Sequence, residues 1–292
     1  MEHIGEILAR NRVGRSTDST TVEVTCPCGK QFTSNVWIWR DGVRSSPYEK
    51  CHECRDLDEY NERKEEAEVE LKRITEDQRD QWQEESNIPA KFWSKTFGDF
   101  SKALQPKALE ATKNLQWKWD ESLDVPPKSL VLLSPGVYGV GKTHLVCALA
   151  NQIIGTEQKA YLRKDLFVHK CRCPVHFTSE AELLRRVRMT YNANAQETEG
   201  DVYQELSRFD LLIIDDVGKV RPRDLNFLQG VYFSIIDSRY NGQSPVVLTT
   251  NLGFAELEEH IGGACADRLR EMAGNEGFVK MAGKSYRQAI SK

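Results

Sequence analysis

The sequence has no apolar run long enough to cross a bilayer, and its first residues, Met-Glu-His-Ile-Gly, lack the charged-then-apolar layout of a signal peptide. It also lacks an excess of positive charge: 40 Lys and Arg stand against 44 Asp and Glu, for a formal net charge of −4. That balance excludes a globally basic nucleic-acid binder and confines any DNA contact to a local patch. No internal repeat is present. These absences lead to the expectation of a cytoplasmic protein with no membrane partner. In that reducing compartment the eight cysteines point to metal-binding or core roles rather than to disulfides.

With 292 residues the chain has room for one large domain and a small one, or for two modest ones. It divides into three parts. Residues 1–57 carry four of the eight cysteines, and residues 58–86 are almost entirely charged and polar with an acidic excess. From Asn87 onward, through residues 87–292, strand-like apolar runs alternate with helical patterns, as a parallel α/β sheet requires.

Residues 136 to 143 read Gly-Val-Tyr-Gly-Val-Gly-Lys-Thr, a full match to the phosphate-binding pattern G-x-x-x-x-G-K-[ST]. Leu130-Val131-Leu132-Leu133 leads in as a buried parallel strand, and His144 to Ile153 leads out as an amphipathic helix. In that setting Gly136, Gly139 and Gly141 let the backbone turn tightly. With Val137, Tyr138, Val140 and His144 they bring N–H groups onto phosphate oxygens at the positive end of the helix. Lys142 is expected to reach the β- and γ-phosphates of ATP, and Thr143 to give its hydroxyl to Mg²⁺. A second signal is Phe209-Asp210-Leu211-Leu212-Ile213-Ile214-Asp215-Asp216. Four branched apolar residues make a strand buried on both faces, and two carboxylates sit at its C-terminal end, where open parallel sheets bind ligands. Asp215 is expected to hold Mg²⁺ through water, and Asp216 to orient and deprotonate an attacking water.

Val246-Val247-Leu248 reads as a third strand, tipped by Thr249-Thr250-Asn251. Arg268 follows in Ala266-Asp267-Arg268-Leu269-Arg270, on a short helix, and Arg287 in Gly283-Lys284-Ser285-Tyr286-Arg287, after the strand-like Phe278-Val279-Lys280-Met281. Taken in this order, the strings resemble the AAA+ family of bacterial helicase loaders, DnaC and DnaI, and the related transposition ATPase IstB. The resemblance covers about seven-tenths of the chain, from Asn87 to Lys292, and includes the lead-in Ile88-Pro89-Ala90-Lys91-Phe92 and Thr96-Phe97-Gly98-Asp99-Phe100. It implies a P-loop AAA+ three-layer α/β/α core with a parallel sheet, and ATP hydrolysis. By the same resemblance Asn251 is the sensor I residue that bonds the γ-phosphate or the water. Arg268 is the arginine finger, acting on ATP bound to a neighbouring subunit of a homo-oligomeric ring or spiral, and Arg287 is the sensor II arginine, acting in cis. The implied partners are a replicative DNA helicase and single-stranded DNA, or a transposase on the IstB side. A DNA-bound scaffold with a nearly idle ATPase is the alternative from another class.

Two departures stand out. Too few residues follow Asn251 for the helical lid of larger AAA+ proteins, and residues 154–175 are longer than a simple helix-to-strand link. The latter stretch contains His169, Cys171 and Cys173, with His176 just after it. It reads either as a second metal site or as ordinary loop and strand residues, since Val175-His176-Phe177 itself has the pattern of the second core strand. Cys147 and Cys265 read as small apolar residues on helices.

In the N-terminal part, Cys26-Pro27-Cys28-Gly29 and Cys51-His52-Glu53-Cys54 offer four thiolates to one tetrahedral Zn²⁺, with His52 as a possible substitute ligand and Gln31–Arg40 as a hairpin that joins the two turns. This makes residues 1–57 a small zinc-ribbon-like domain that bound metal would hold together. Trp37 and Trp39, with Arg40, Arg44 and Lys50 nearby, suit single-stranded bases, a protein partner, or a purely structural role. Residues 58–86 read as a charged linker helix with a narrow stripe at Tyr60, Ala67, Leu71 and Ile74, either solvated or docking on a partner. Candidate DNA contacts are Arg185, Arg186 and Arg188, and Lys219, Arg221 and Arg223; as an alternative, half or more of them are surface charge.

Overall fold

The structure is a computed structural model that describes residues 18–39, 42–101, 103–221, 224–283 and 285. Two compact units divide the chain: one holds the residues up to Leu71 together with Leu162–Val168, the other Lys72–Tyr161 and His169 onward.

In the first unit, β1 (Asp18–Thr25) and β2 (Gln31–Ile38) form an antiparallel pair with Asp18 opposite Ile38 and Thr25 opposite Gln31. This corrects the expected hairpin within Gln31–Arg40. That stretch is one strand as far as Ile38, because Phe32, Ser34 and Val36 alternate onto a single inward face and extend the strand without a break. The chain turns again after Ile38, where Trp39 N–H donates to Val43 O (2.9 Å) and Ile38 bridges Arg44 in antiparallel sense, but the reversal between β1 and β2 falls at Cys26–Lys30. There Cys26 N–H donates to Lys30 O (2.9 Å), Gly29 N–H donates to Cys26 O (2.8 Å), and Gly29 takes φ +88°. The first cysteine pair is therefore the hairpin turn itself. Cys51 and Cys54 lie at the start of the 34-residue helix α1 (His52–Glu85).

The stripe of α1 does not stop at Ile74 but continues as a buried one, at one-turn spacing, to the polar Gln78 and to Trp82. Trp82 is 1% exposed and donates from Nε1 to Cys171 O (3.2 Å), inside an apolar cluster that also contains Ile153 and Phe177. The end of the helix is thus core of the second unit.

That unit is built on a parallel sheet of five strands in the order β6-β7-β8-β3-β9. Beyond α1 the elements of the chain run α2 (Pro106–Lys113), β3 (Leu130–Leu133), α3 (Lys142–Thr156), β4 (Ala160–Leu162), β5 (Val168–Lys170) and β6 (Val175–Ser179). Then come α4 (Glu180–Met189), α5 (Glu199–Ser207), β7 (Leu211–Val217), α6 (Leu225–Asn241), β8 (Val246–Thr250), α7 (Phe254–Ile261), α8 (Gly263–Ala273) and β9 (Phe278–Lys280). The period-two alternation of the strands creates three layers. Leu130, Leu132, Leu211 and Ile213 face a cluster with Leu145, Leu149 and Ile153 of α3. Val131, Leu133, Leu212 and Ile214 face the other, with Leu183, Val231, Ile235, Leu257 and Leu269 of α4, α6, α7 and α8. Edge strand β6 is covered: Phe177 N–H donates to Ser86 O (2.8 Å), and Asn87 Nδ2 to Phe177 O (3.1 Å). Among the described residues no helix is long and apolar enough to cross a membrane.

One buried cation ties the lower end of this sheet. Arg239 of α6, 2% exposed, donates to the carbonyls of Leu206 (3.0 Å), Phe209 (3.0 Å), Asp210 (2.9 Å) and Pro245 (2.9 Å), where β7 and β8 begin. Burial lowers its pKa to about 10, so it stays charged at neutral pH. Arg239→Ala would take their shared donor from the Leu206, Phe209 and Asp210 carbonyls, while Pro245 O keeps the Leu212 N–H (3.4 Å), and should cost about 3 kcal/mol. Arg239→Lys should recover only part of that, because an ammonium lacks the planar fork. Denaturant unfolding midpoints of the two variants check both statements.

Candidate nucleotide and metal sites

The phosphate-binding turn follows β3 directly. Gly136, Gly139 and Gly141 have φ of +66°, +74° and +96°, a left-handed series that glycine adopts without strain. Gly141 is constrained twice over, since a Cβ there would come within 2.5 Å of the Phe100 ring. Phe100 belongs to the lead-in segment, which wraps α3: Asn151 Nδ2 bonds the carbonyls of Phe92 and Lys95 (both 2.8 Å), and His144 Nε2 meets Thr96 O at 3.0 Å. The His144 side chain is therefore spent on that segment, and its backbone alone faces the turn. Val137 N–H bonds Ser134 O at 3.0 Å, Val140 is buried, and Tyr138 is exposed.

Lys142 is buried, and its ammonium donates to Ser134 Oγ and to Asn251 Oδ1 (2.6 Å). Those acceptors sit at the ends of β3 and β8, which are neighbouring strands. Asn251 reaches the P-loop lysine directly, and its backbone carbonyl also accepts Gly136 N–H (3.1 Å). On the other side of β8, Asp215 accepts from the hydroxyls of Thr143 (2.9 Å) and Thr249 (2.5 Å). Burial raises the Asp215 carboxyl above its ordinary pKa, and the Thr249 hydroxyl bond opposes that rise. A buried carboxylate bonded to the P-loop threonine and followed by a second carboxylate is a donor set suited to a hard divalent cation such as Mg²⁺.

Asp216 stands where β7 slips out of register with β8, between Ile214 and Val217. It is a non-glycine residue at φ +58°, its N–H bonds Thr249 Oγ1 (3.0 Å), and its carboxylate pairs with Lys219 Nζ (3.0 Å). The displacement turns Asp216 out of the alternation of the strand. Sequence reasoning missed Ser134, a lone hydroxyl at a strand end, and marked Thr249 only as part of the polar tip of the third strand; the strand order brings them to Lys142 and Asp215.

Arg268 lies on α8, pairs with Asp237 Oδ1 of α6 (2.8 Å), donates to Ala264 O (3.3 Å) and rests over the Phe233 ring. None of these partners belongs to the P-loop or to β7. Arg287 falls outside the described residues, as do Arg40 and Arg223. Ser285, two residues before Arg287, stands against Gly139, where an added Cβ would meet its hydroxyl. Arg186 is committed to Glu197 and Glu205, Arg185 to Glu182, and Arg188 lies over Phe227.

In the first unit, the sulfurs of Cys26, Cys28, Cys51 and Cys54 all lie within 4.8 Å of one another. Sulfurs about 2.3 Å from a central zinc would stand about 3.8 Å apart, and Cys28 Sγ to Cys51 Sγ is 3.8 Å. The backbone N–H groups of Cys28 and Cys51 lower the Cys26 pKa to about 6. His52 turns away to Asp56 (2.8 Å) and is exposed. Around Cys171 the residues have other partners: Cys173 Sγ donates to Val175 O (3.3 Å) in the core, His176 stacks on Phe209, and the half-buried His169 stacks on the exposed Tyr161. Among the described residues the N-terminal quartet is the one such metal-ligand group.

A family model described as IstB-like ATP binding protein matches residues 94–292. The chain is 24% identical over 186 residues to the replicative helicase loader DnaC of Buchnera aphidicola subsp. Acyrthosiphon pisum, covering 64% of this chain and 65% of that protein. It is 26% identical over 156 residues to the replicative helicase loader DnaC of Escherichia coli K12, covering 53% of this chain and 56% of that protein. The chain thus matches between about half and two-thirds of the length of these relatives. A crystal structure of the DnaC helicase loader aligns over 66% of this chain and 100% of its own, at 18% identity and a TM-score of 0.48.

Proposed function

We propose, from the fact that this chain belongs to the family of IstB-like ATP binding proteins, that it hydrolyses ATP in a ring or spiral of its own copies and delivers a replicative DNA helicase onto single-stranded DNA. The observation that carries the ATPase reading is the bonded constellation of Lys142, Ser134 and Asn251 beside Thr143, Asp215 and Thr249. Backbone N–H groups of residues 136–144 and the Lys142 ammonium bind and orient the phosphates. Thr143 and Asp215 would hold Mg²⁺, which when bound neutralises charge on the β- and γ-phosphates. Asp216 holds the proton of the attacking water, and Asn251 helps to place that water. Arg268 serves a neighbouring subunit, a reading supported by partners that lie outside its own phosphate cradle. Arg287 acts in cis, which the position of Ser285 against Gly139 supports.

The loader reading is supported by the curated relatives named replicative helicase loader DnaC. Its test is transfer of the cognate replicative helicase onto closed single-stranded DNA circles. Helicase should co-elute with the circles only when this chain and ATP are both present, and equal loading without the chain would contradict the reading. A second reading follows from the resemblance to the transposition ATPase IstB, and in it the partner is a transposase. Copurification of a transposase, with no helicase retained, would establish that one.

The cysteine quartet is assigned one structural Zn²⁺, whose binding contributes on the order of 10 kcal/mol to the folding of so small a module. Metal analysis should give about one zinc per chain. Cys51→Ser with Cys54→Ser should abolish it and unfold the module while ATP binding persists. Full zinc retention in that double variant would overturn the assignment.

A further inference from the structure

Glu180 is the first residue of α4, has 0% of its surface exposed, and has no part in the nucleotide chemistry described above. Its carboxylate is fully bonded. Oε2 accepts the backbone N–H groups of Gly218 (3.0 Å) and Val220 (3.2 Å). Oε1 accepts the Tyr232 hydroxyl (2.8 Å) and the Nε2 proton of His260 (2.6 Å). Four bonds fill the acceptor sites of an ionised carboxylate, and the N-terminus of α4 favours its negative charge. The donors come from the turn after β7, from α6 and from α7.

The turn that Glu180 grips begins at Asp216. The chain leaves the sheet there with Asp216 at φ +58° and Gly218 at φ +84°, and Lys219 N–H closes back onto Asp216 O at 3.2 Å. A left-handed non-glycine residue persists only where its surroundings over-determine it. Thr249 Oγ1 holds the Asp216 N–H on one side, and Glu180 holds the N–H groups on both sides of Lys219 on the other. The register slip sets Asp216 loose from the ladder, and these two residues fix where it then points.

We propose that Glu180 is the positioning residue of the hydrolytic site, a buried carboxylate that clamps residues 217–220 so that Asp216 faces the water at the γ-phosphate. This rests on the reading of Asp216 as the water-orienting carboxylate. Glu180→Gln keeps the size but turns one oxygen into a donor, so either the turn or the Tyr232–His260 pair meets a donor. Tyr232→Phe removes one bond from the oxygen that does not touch the turn.

The test is steady-state ATP turnover of the full-length variants under assembling conditions, with amide exchange at Gly218 and Val220 followed in parallel. Glu180→Gln should lose kcat on the order of 10²-fold, the effect of a small displacement of a reacting group, with KM for ATP unchanged and faster exchange at both amides. Glu180→Asp, which stays an acceptor and covers the case of a Gln variant that fails to fold, should show a smaller loss of kcat. Tyr232→Phe should melt earlier and keep its kcat. Wild-type kcat in both Glu180 variants would overturn the proposal, as would equal loss of kcat in Tyr232→Phe and Glu180→Gln, the mark of a merely structural role. A wild-type chain without turnover would overturn the ATPase reading itself, a different result from an active wild type with active Glu180 variants.

Discussion

Arg268→Ala should bind ATP nearly as well as the unaltered chain and lose on the order of 10³ to 10⁵ in turnover. On the proposed reading a single chain supplies the phosphate cradle, the threonine and carboxylate for a cation, and Asp216 to orient the water. Nothing within that set arrives late to offset charge on the transferring phosphoryl group. Arg268 is held by Asp237 at 2.8 Å on the face shared by α6 and α8, with its side chain 28% exposed. It is thus ordered and still open to a neighbour. Mixing Arg268→Ala with Lys142→Ala separates service in trans from service in cis. A Lys142→Ala subunit keeps its own Arg268 and can lend it to the intact P-loop of an Arg268→Ala subunit. Partial recovery of turnover in the mixture is the expected result. Absence of recovery in subunits shown to co-assemble would shift the role to Arg270 or to an arginine acting in cis.

Asp216→Asn should also bind ATP and should hydrolyse it on the order of 10² to 10⁴ times more slowly, the range for loss of a positioned base. The amide keeps the size and leaves the buried Asp215 with its Thr143 and Thr249 bonds. Lys142→Ala provides the contrast. It removes the ammonium that bridges Ser134 and Asn251, and with it the principal positive charge on the β- and γ-phosphates, so nucleotide affinity itself should fall. Nucleotide binding followed by equilibrium titration and turnover followed by phosphate release distinguish the two. Wild-type turnover in Asp216→Asn would show that the catalytic carboxylate lies elsewhere.

The central strands were legible because a strand buried on both faces must be apolar throughout, as Leu130–Leu133 and Leu211–Ile214 are, and few other elements read that way. The P-loop was legible because its glycines and Lys142 stand at fixed spacing between a strand and a helix. Contacts that depend on strand order were not. Thr249 reaches Asp215 only because β8 lies between β7 and β3, and a threonine at a strand tip carries no periodicity that announces it. Glu180 is hidden for the same reason, since a glutamate at the start of a helix reads as an ordinary favourable end charge. The hairpin of the first unit was misplaced because residues 18–25 are mostly polar, and the strand they form is exposed along much of its length. Trp82 looked like one more residue of a charged helix, yet it is a core residue of the second unit. Arg186 looked like a DNA contact and is held by two carboxylates.

The most direct measurement is ATP turnover of the purified full-length chain with Mg²⁺, over a range of protein concentrations, with and without single-stranded DNA. An ATPase completed by Arg268 of a neighbouring subunit should show specific activity that rises with protein concentration, and that rises further when DNA organises the assembly. Turnover absent at every concentration, with ATP still bound, would make the chain a nucleotide-organised scaffold, and specific activity independent of concentration would contradict completion in trans.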